Sequence, residues 1–442
     1  MGTSSFQSSD TAASAPPDKP NLGEAAGVFG RVGLLSFGGP AAQIAMMHRV
    51  LVDERRWLSE RTFLSALSFC MLLPGPEAMQ LATYSGWRLH GVRGGLVAGL
   101  LFVAPGALLV LALSILYGAY GGTAVMEALF VGVKAAVLAI VLEALLRLGR
   151  RALKGAADWL VALAAFVVIF FFAVPFPLVV IAAATVGYLR RSEGNDEPSQ
   201  VQPVAAAATV RTVGVWLAVW ILPLLAVALV FGPDHVLSQL AWFFSKLAVV
   251  TFGGAYAVLA YMAQEAVEGY GWLTPGEMLD GLGLAETTNG PLILVTEFVG
   301  YQAAHRFGGA PPLFYGLLGA LVTLWATFAP CFLWIFAGAP YIERLTHAPR
   351  LSSALSCVTA AVVGVIGNLS VWFALHVLFA TVDETEIGLL RVFVPDVASV
   401  NWLACALSAL ALVLVFGLRR GVVTTLAVCA LAALVWLYAA PF

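Results

Sequence analysis

Runs of roughly twenty apolar residues recur along the whole 442-residue chain. A helix of about that length crosses the hydrocarbon core of a bilayer. Hydrophobic residues make up 61% of the chain and charged residues only 11%, whereas a soluble domain has about 25% charged residues. The sequence therefore predicts an all-α, polytopic transmembrane helical bundle, with the lipid bilayer as its solvent.

Several functional classes are excluded by what the chain lacks. The net charge of −2 gives no sign of nucleic-acid binding. No GxxxxGK[ST] motif for ATP occurs, and neither HExxH nor GxSxG is present, so we predict no catalytic residues and no enzyme activity. The five cysteines fall in apolar runs without a CxxC pair, which favours small buried side chains over a metal site or disulfides. No cofactor is expected.

Two polar stretches divide the chain. Residues 1–22 are rich in Ser, Ala and Pro without the apolar core of a signal peptide, and we interpret them as a disordered tail. Residues 190–237 form a polar linker followed by one connecting span. The predicted domains are thus 23–189, called the first half, and 238–442, called the second half.

The two halves are homologous. Matching motifs recur about 215 residues apart, or about 225 after a short insertion in the second half, in the same order, and we expect a duplication. The pairs are Arg31 with Lys246, Ser36-Phe37-Gly38-Gly39 with Thr251-Phe252-Gly253-Gly254, Gly75-Pro76 with Gly290-Pro291, Gly86 with Gly300, Gly94-Gly95 with Gly308-Gly309, and Ala104-Pro105 with Ala329-Pro330.

Hydropathy predicts about thirteen spans. They are 24–47, 63–87, 94–117, 125–146, 157–174, 176–189, 212–231, 238–263, 279–301, 312–337, 352–380, 399–417 and 421–440. An N-terminus in the cytoplasm places most Lys and Arg of the short loops there. The exception is the loop with Arg49, Arg55, Arg56 and Arg61, which a re-entrant 63–87 segment would correct. Seven crossings separate the first span from its repeat, so we expect inverted repeats, a common transporter construction.

Candidate site residues lie at equivalent positions of the two halves. Arg31 and Lys246 are basic residues inside apolar spans, where a charge usually marks a pathway, although snorkelling to the interface is the alternative. Two positive charges suit a dianion. The glycine pairs Gly38-Gly39 and Gly253-Gly254 favour broken helices, whose free N–H groups bind anions. Close helix packing is the alternative explanation for the glycines.

A second interruption follows in each half. Pro74-Gly75-Pro76 corresponds to Asn289-Gly290-Pro291, and paired Gly/Pro interruptions are the best sequence indication of a transport site. Polar residues cluster beside both. We regard Glu77, Glu286 and Glu297 as candidates for coupling transport to protons, although Glu77 equally fits a helix cap.

These residues resemble the chromate ion transporter family in its long, two-domain form. The resemblance rests on the Ser36–Gln43 and Leu73–Thr83 motifs and on their second-half counterparts, and it covers nearly the whole chain after residue 22. Asn289 departs from the family pattern, which has proline there. The family implies efflux of chromate from the bacterial cytoplasm through the inner membrane, driven by the membrane potential or an ion gradient, and hence chromate resistance.

Three questions stay open at this point. Chromate and sulfate are tetrahedral dianions of similar size, so a sulfate or other oxyanion carrier is the first alternative. A membrane-embedded enzyme acting on a lipid phosphate is the second, with Asp53-Glu54-Arg55-Arg56 as its candidate loop. The sequence also allows a homodimer as well as a monomer.

Overall fold

The computed structural model describes residues 20–36, 39–190, 206–252, 255–342, 349–388 and 390–439. Most of the predicted N-terminal tail and part of the linker lie outside these ranges, as do Phe37, Gly38, Gly253 and Gly254. The described chain is an all-α membrane protein with one small β-hairpin. Six of its helices are long and apolar enough to cross a membrane: Glu77–Tyr120, Ala124–Ala152, Ala206–Phe231, Pro312–Tyr341, Arg350–Leu378 and Val422–Ala439.

The described residues of the first half form seven helices. They are α1 (Leu22–Leu35), α2 (Gly39–His48), α3 (Glu60–Leu72), α4 (Glu77–Tyr120), α5 (Ala124–Ala152), α6 (Ala156–Phe172) and α7 (Phe176–Leu189). Helix α8 (Ala206–Phe231) connects the halves. A π-helical turn, Arg49–Glu54, extends α2.

The second half begins in the same way. Its helices are α9 (Val236–Val250), α10 (Ala255–Gln264), α11 (Pro275–Thr287), α12 (Val295–Phe307), α13 (Pro312–Gly338), α14 (Pro349–Leu378), α15 (Trp402–Leu412) and α16 (Val422–Ala439). Between α14 and α15, strands β1 (Val382–Ile387) and β2 (Leu390–Pro395) pair antiparallel. The all-α fold class predicted from the sequence did not include this β-hairpin.

Helix α4 is two helices joined by a tight turn. His90 and Gly91 have non-helical backbone angles. A Cβ atom on Gly86 would lie 2.3 Å from the carbonyl oxygen of Gly94, although eight residues of continuous helix span about 12 Å. The arms 77–89 and 92–120 therefore run antiparallel. Gly300 and Gly319 make the equivalent contact between α12 and α13, so Gly319, rather than Gly308, is the packing counterpart of Gly94.

Four of the predicted spans reverse direction at their interruptions. Hairpin I is α1 with α2, where Glu24 and Arg55 form a 3.1 Å ion pair although a continuous helix would separate them by about 46 Å. Hairpin II is α3 with the first arm of α4, in which the Phe69 and Tyr84 rings lie 6.5 Å apart.

Hairpins III and IV repeat this arrangement in the second half. Hairpin III is α9 with α10, where the Phe243 and Tyr261 rings lie 5.7 Å apart. Hairpin IV is α11 with α12, where the guanidinium of Arg306 is paired with Glu277 at 2.5 Å. Thirteen-residue arms reach about 20 Å, which is less than the bilayer core. The structure therefore differs from thirteen single crossings, because an apolar run of this length fits a re-entrant hairpin as well as a span.

The other helices alternate in direction between two ends of the bundle. Tyr117 stacks edge-on against Phe130 across the α4–α5 turn, and Asp158 pairs with Arg190 across α6 and α7. Thr209 and Tyr341 join the start of α8 to the end of α13. One end, called the basic end, holds the open ends of hairpins I and II and the α5–α6 turn. The opposite end holds those of hairpins III and IV and the β-hairpin.

Candidate functional site

The tips of the four hairpins meet near the centre of the protein, across the boundary between the halves. The backbone N–H of Gly75, at the tip of hairpin II, donates to the carbonyl oxygen of Thr251, at the tip of hairpin III, at 2.9 Å. The N–H of Gly290, at the tip of hairpin IV, donates to the carbonyl of Ser36, at the tip of hairpin I, at 3.0 Å. Because Gly75 matches Gly290 and Ser36 matches Thr251, these two bonds are equivalent, as an approximate two-fold relation between the halves requires.

The internal prolines extend this relation. Gly75 packs against Cys331, the residue after Pro330 in α13, and Gly290 packs against Gly106, the residue after Pro105 in α4. Gly75 and Gly290 have φ angles of +116° and +94°, which side chains with a Cβ rarely adopt. Glycine is therefore required at both tips for the turn and for close approach of the partner half.

Buried amide side chains complete the tips. Gln43 donates from Nε2 to the carbonyl of Gly290 at 2.6 Å, and Asn289 donates to the carbonyls of Gly33 and Leu34 at 3.4 and 3.3 Å. Gln80 donates to the carbonyl of Pro74 at 2.7 Å. The asparagine at position 289 thus joins hairpin IV to hairpin I, which a proline there could not do. With asparagine at position 289, the interruption is still present, since Gly290 keeps a positive φ angle.

Among the described residues, the hydroxyl and N–H groups predicted to bind the anion lie together at the hairpin tips, but several of them are already hydrogen-bonded. Helices α2, α4, α10 and α12 all begin at the tips, so their N-termini converge there, as anion binding needs. The hydroxyls of Ser36 and Thr251 both donate to carbonyls of their own helices, at 2.5 Å, and the N–H groups of Gly75 and Gly290 are engaged between halves. This conformation is therefore closed at the tips, with Pro74, Pro76 and Pro291 beside the contact and Phe252 half-buried.

Arg31 and Lys246 do not reach the tips. Arg31 is exposed on α1, and Lys246 is half-buried with its ammonium over the rings of Phe243 and Tyr261, at 5.7 and 5.4 Å. Among the described residues neither forms an ion pair. The ammonium of Lys246 lies over Phe243, three residues towards the start of α9 and away from the interruption. Their role in substrate binding stays a prediction.

The three coupling candidates have different surroundings. Glu297 is 1% exposed, and neither carboxylate oxygen has a hydrogen-bond partner among the described residues. An ionised carboxylate in that position would be very unfavourable, so Glu297 is expected to be protonated in this conformation. Glu77 is half-buried at the first turn of α4 and Glu286 is half-buried near the end of α11.

A cleft of about 690 Å³ at the opposite end contains residues that sequence reasoning missed. Lys134 of α5 pairs with Asp280 of α11 at 3.1 Å, and the Tyr117 hydroxyl donates to the same carboxylate at 2.8 Å. Neither Lys134 nor Asp280 is among the site residues predicted from the sequence. Asp280 is 5% exposed, and an acidic residue within an apolar segment is the signal that could have found it.

Comparison with known proteins identifies the chain. The sequence profile of the chromate transporter family matches residues 23–188 and, separately, 238–436. A chromate transport protein of Pseudomonas aeruginosa is 36% identical over 78% of this chain and 79% of its own length. A probable chromate transport protein of Synechococcus elongatus is 30% identical over 77% and 81%. A chromate transport protein of Cupriavidus metallidurans is 30% identical over 76% and 79%.

No solved structure matches the chain. The resemblance seen in the sequence is confirmed by the family profile and by these relatives. The relatives are named as transport proteins, which indicates a transporter rather than an enzyme. This protein, with its paired hairpin tips and multi-pass apolar helices, belongs to the chromate transporter family.

Proposed function

We propose that the protein exports chromate across the bacterial inner membrane and so confers chromate resistance. The observation that carries the proposal is the pair of equivalent hydrogen bonds, Gly75 to Thr251 and Gly290 to Ser36, which joins the helix interruptions of the two halves. Transport sites lie where interrupted helices of two repeats meet, and converging helix N-termini favour an anion. Opening this junction alternately towards each end would expose free N–H groups to a tetrahedral dianion.

The proposed topology has nine crossings and four re-entrant hairpins. The crossings are the second arm of α4, helices α5 to α8, and helices α13 to α16 with the π-helical extension of α15. Five of these crossings, the second arm of α4 and helices α5 to α8, separate hairpin I from its counterpart, hairpin III. Five is odd, so the second half enters from the opposite side and the repeats are inverted. Hairpins I and II return to the basic end, so Arg49, Arg55, Arg56 and Arg61 join the other basic loops in the cytoplasm. The one loop that disagreed with the positive-inside pattern then agrees with it.

Charge asymmetry supports the outward direction. A cleft at the basic end is lined by five arginines, Arg147, Arg150, Arg151, Arg419 and Arg420, and by one carboxylate, Glu143, which pairs with Arg147. The cleft at the opposite end has two cationic side chains and three carboxylates among its lining residues. Cationic clefts concentrate anions. An anion would therefore be gathered at the cytoplasmic end and released at the other.

The membrane potential could drive this movement. An inside-negative potential favours outward movement of each negative charge by about 2.3 kcal/mol per 100 mV, and of a dianion by about 4.6 kcal/mol. Glu297 offers coupling to protons as well, because a buried carboxyl without a partner would change its protonation when the tips open. A sulfate carrier on the same fold is the alternative substrate assignment.

Proteoliposomes containing the purified protein would test the proposal. Chromate flux should follow an imposed potential, and it should rise or fall with a pH gradient if Glu297 exchanges a proton. The variant Glu297→Gln should remove the pH-gradient response and retain the response to the potential. Sulfate in excess should compete weakly for a chromate carrier and strongly for a sulfate carrier. Absence of chromate flux under every gradient would reject the proposal.

A further inference from the structure

A second cavity leads from the basic end to the tip of hairpin II. It has a volume of about 260 Å³ and lies between hairpin II, the end of α5 and the beginning of α14. Gly75 and Glu77 line it at the tip of hairpin II, and Arg151 and Lys154 line it near the end of α5. The hydroxyl-bearing Ser356 and Thr359 of α14 complete the polar part of its wall. The cavity therefore connects cationic side chains at the end of α5 and in the turn after it with the hairpin tip that bonds to Thr251.

Arg151 is shared with the neighbouring arginine cleft. That cleft has a volume of about 730 Å³, and Arg151 lines both spaces. Its guanidinium has a thioether, the Met71 sulfur at 3.8 Å, as its contact on the hairpin side. Among the described residues it forms no ion pair, whereas Arg147 in the same cleft is paired with Glu143. Arg151 thus keeps its hydrogen-bonding capacity at the passage from the wide cleft to the narrow cavity.

Glu77 is the acidic residue that lines the narrow cavity. Its carboxyl group is half-buried at the N-terminus of α4, one residue beyond the Pro74-Gly75-Pro76 interruption. A carboxylate there occupies the same kind of position as an incoming oxyanion, namely a helix N-terminus near a guanidinium. Anion and carboxylate would therefore compete for the same positive groups.

The two ends of the protein correspond through the repeat. Thr359 on α14 is equivalent to Lys134 on α5, with the same shift that relates Pro105 to Pro330. Thr359 lines the cavity at the basic end, and Lys134 lines the cleft at the opposite end. Equivalent positions thus line two separate spaces at opposite ends, as the two access routes of inverted halves would require.

We propose that the narrow cavity is the cytoplasmic binding subsite for the tetrahedral dianion, with Arg151 as its principal ligand and Glu77 as its competitor. The proposal rests on the proposed export function. The anion would move from the arginine cleft to Arg151 and Lys154. There it would replace the Glu77 carboxylate as the negative group next to these two cations. It would then lie within reach of the tip at Gly75. A dianion suits the subsite because two cationic side chains and two hydroxyls surround it.

Initial rates of chromate uptake into inside-out vesicles test this subsite. Arg151→Gln should raise the apparent KM about tenfold or more, because a charge-assisted contact is lost, and Arg151→Lys should raise it less. Glu77→Gln should lower the apparent KM, because the competitor loses its charge. In the double variant, Glu77→Gln should lower KM much less than it does when Arg151 is present, as expected for residues acting on one ligand. Arg211→Gln, an exposed arginine of α8 outside both spaces, is the matched control and should leave KM unchanged.

Several results would overturn the inference. If the wild type transports chromate and Arg151→Gln has an unchanged KM, the cavity is not on the path. The cavity is also not on the path if Arg211→Gln raises KM as much as Arg151→Gln. Only the total positive charge of the basic end would then determine KM. If the effect of Arg151→Gln disappears in vesicles without anionic lipid, the cavity binds a lipid phosphate instead. Lack of transport by the wild type would reject the export function itself, and equilibrium binding of chromate to purified Arg151→Lys and Arg151→Gln would then still test the subsite.

Discussion

The ammonium of Lys134 and the carboxylate of Asp280 lie 3.1 Å apart and join helix α5 of the first half to hairpin IV of the second. Tyr117 donates a hydrogen bond to the same carboxylate, so three helices are linked at one buried acid. The pair also forms one wall of the cleft at the end opposite the arginines. It therefore connects the position of hairpin IV to the shape of this cleft.

Removing Lys134 should be more damaging than removing the whole pair. Lys134→Met leaves Asp280 buried without its cation, and breaking such a pair costs about 3–5 kcal/mol of stability. The double variant Lys134→Met/Asp280→Asn should recover much of that loss. Thermal unfolding in detergent would measure both. Equal destabilisation of the single and double variants would show that the ion pair does not determine the effect.

The glycine contact within α4 should be sensitive to a single methyl group. Gly86→Ala would place a Cβ atom 2.3 Å from the carbonyl oxygen of Gly94, so hairpin II and the second arm would have to separate. We expect lower yield of folded protein and a lower melting temperature. Gly27→Ala is the control, because a Cβ atom there meets nothing within 4 Å, and alanine favours a helix by up to about 1 kcal/mol. Similar melting temperatures for the two variants would contradict the close packing.

The junction of the tips should depend on Gln43. Gln43→Leu removes the hydrogen bond to the carbonyl of Gly290 and leaves that buried carbonyl without its side-chain donor, at a cost of about 1–3 kcal/mol. We expect insertion into the membrane with strongly reduced chromate transport. Gln239→Leu, whose amide caps a carbonyl near the surface end of α9, serves as the comparison and should transport normally. Normal transport by Gln43→Leu would show that chromate transport does not depend on the hydrogen bond between Gln43 and Gly290.

Arg31 and Lys246 give a prediction about charge. If they hold the dianion when the tips open, Arg31→Gln and Lys246→Gln should each weaken the apparent affinity about tenfold to a hundredfold. Arg31→Lys and Lys246→Arg should have smaller effects, because the charge is kept. Transport assays over a range of chromate concentrations would show this. Unchanged affinity in both Gln variants would make the two residues interfacial anchors.

The topology can be measured directly. A cysteine introduced at Arg56 should react with an impermeant reagent from the same side as one at Arg93, because hairpins I and II return to the basic end. Reporter fusions should place the N-terminus in the cytoplasm and the C-terminus outside. If the two positions are labelled from opposite sides, hairpins I and II are not both re-entrant, and the first two predicted spans cross the membrane singly.

Several features followed from the amino-acid sequence alone. Apolar runs located the helices, and the predicted 312–337 span lies within one residue of the observed α13, Pro312–Gly338. The residues Gly75 and Gly290 marked interruptions, since Gly and Pro act on the backbone within a few residues. The duplication was visible as well, because two copies of a motif can be compared without knowing how they pack.

Only the tertiary structure decided the direction of the chain after each interruption. A segment of apolar residues with a break in the middle has the same local energetics whether it crosses the membrane or returns. The choice is made by distant partners, such as the bond from the Gly290 N–H to the Ser36 carbonyl and the contact of Gly86 with Gly94. For the same reason the pairing of Lys134 with Asp280 and the placement of Arg151 beside the tip of hairpin II were not predictable. Hydropathy and helix propensity depend on neighbours along the chain, whereas these contacts depend on how the two halves pack against each other.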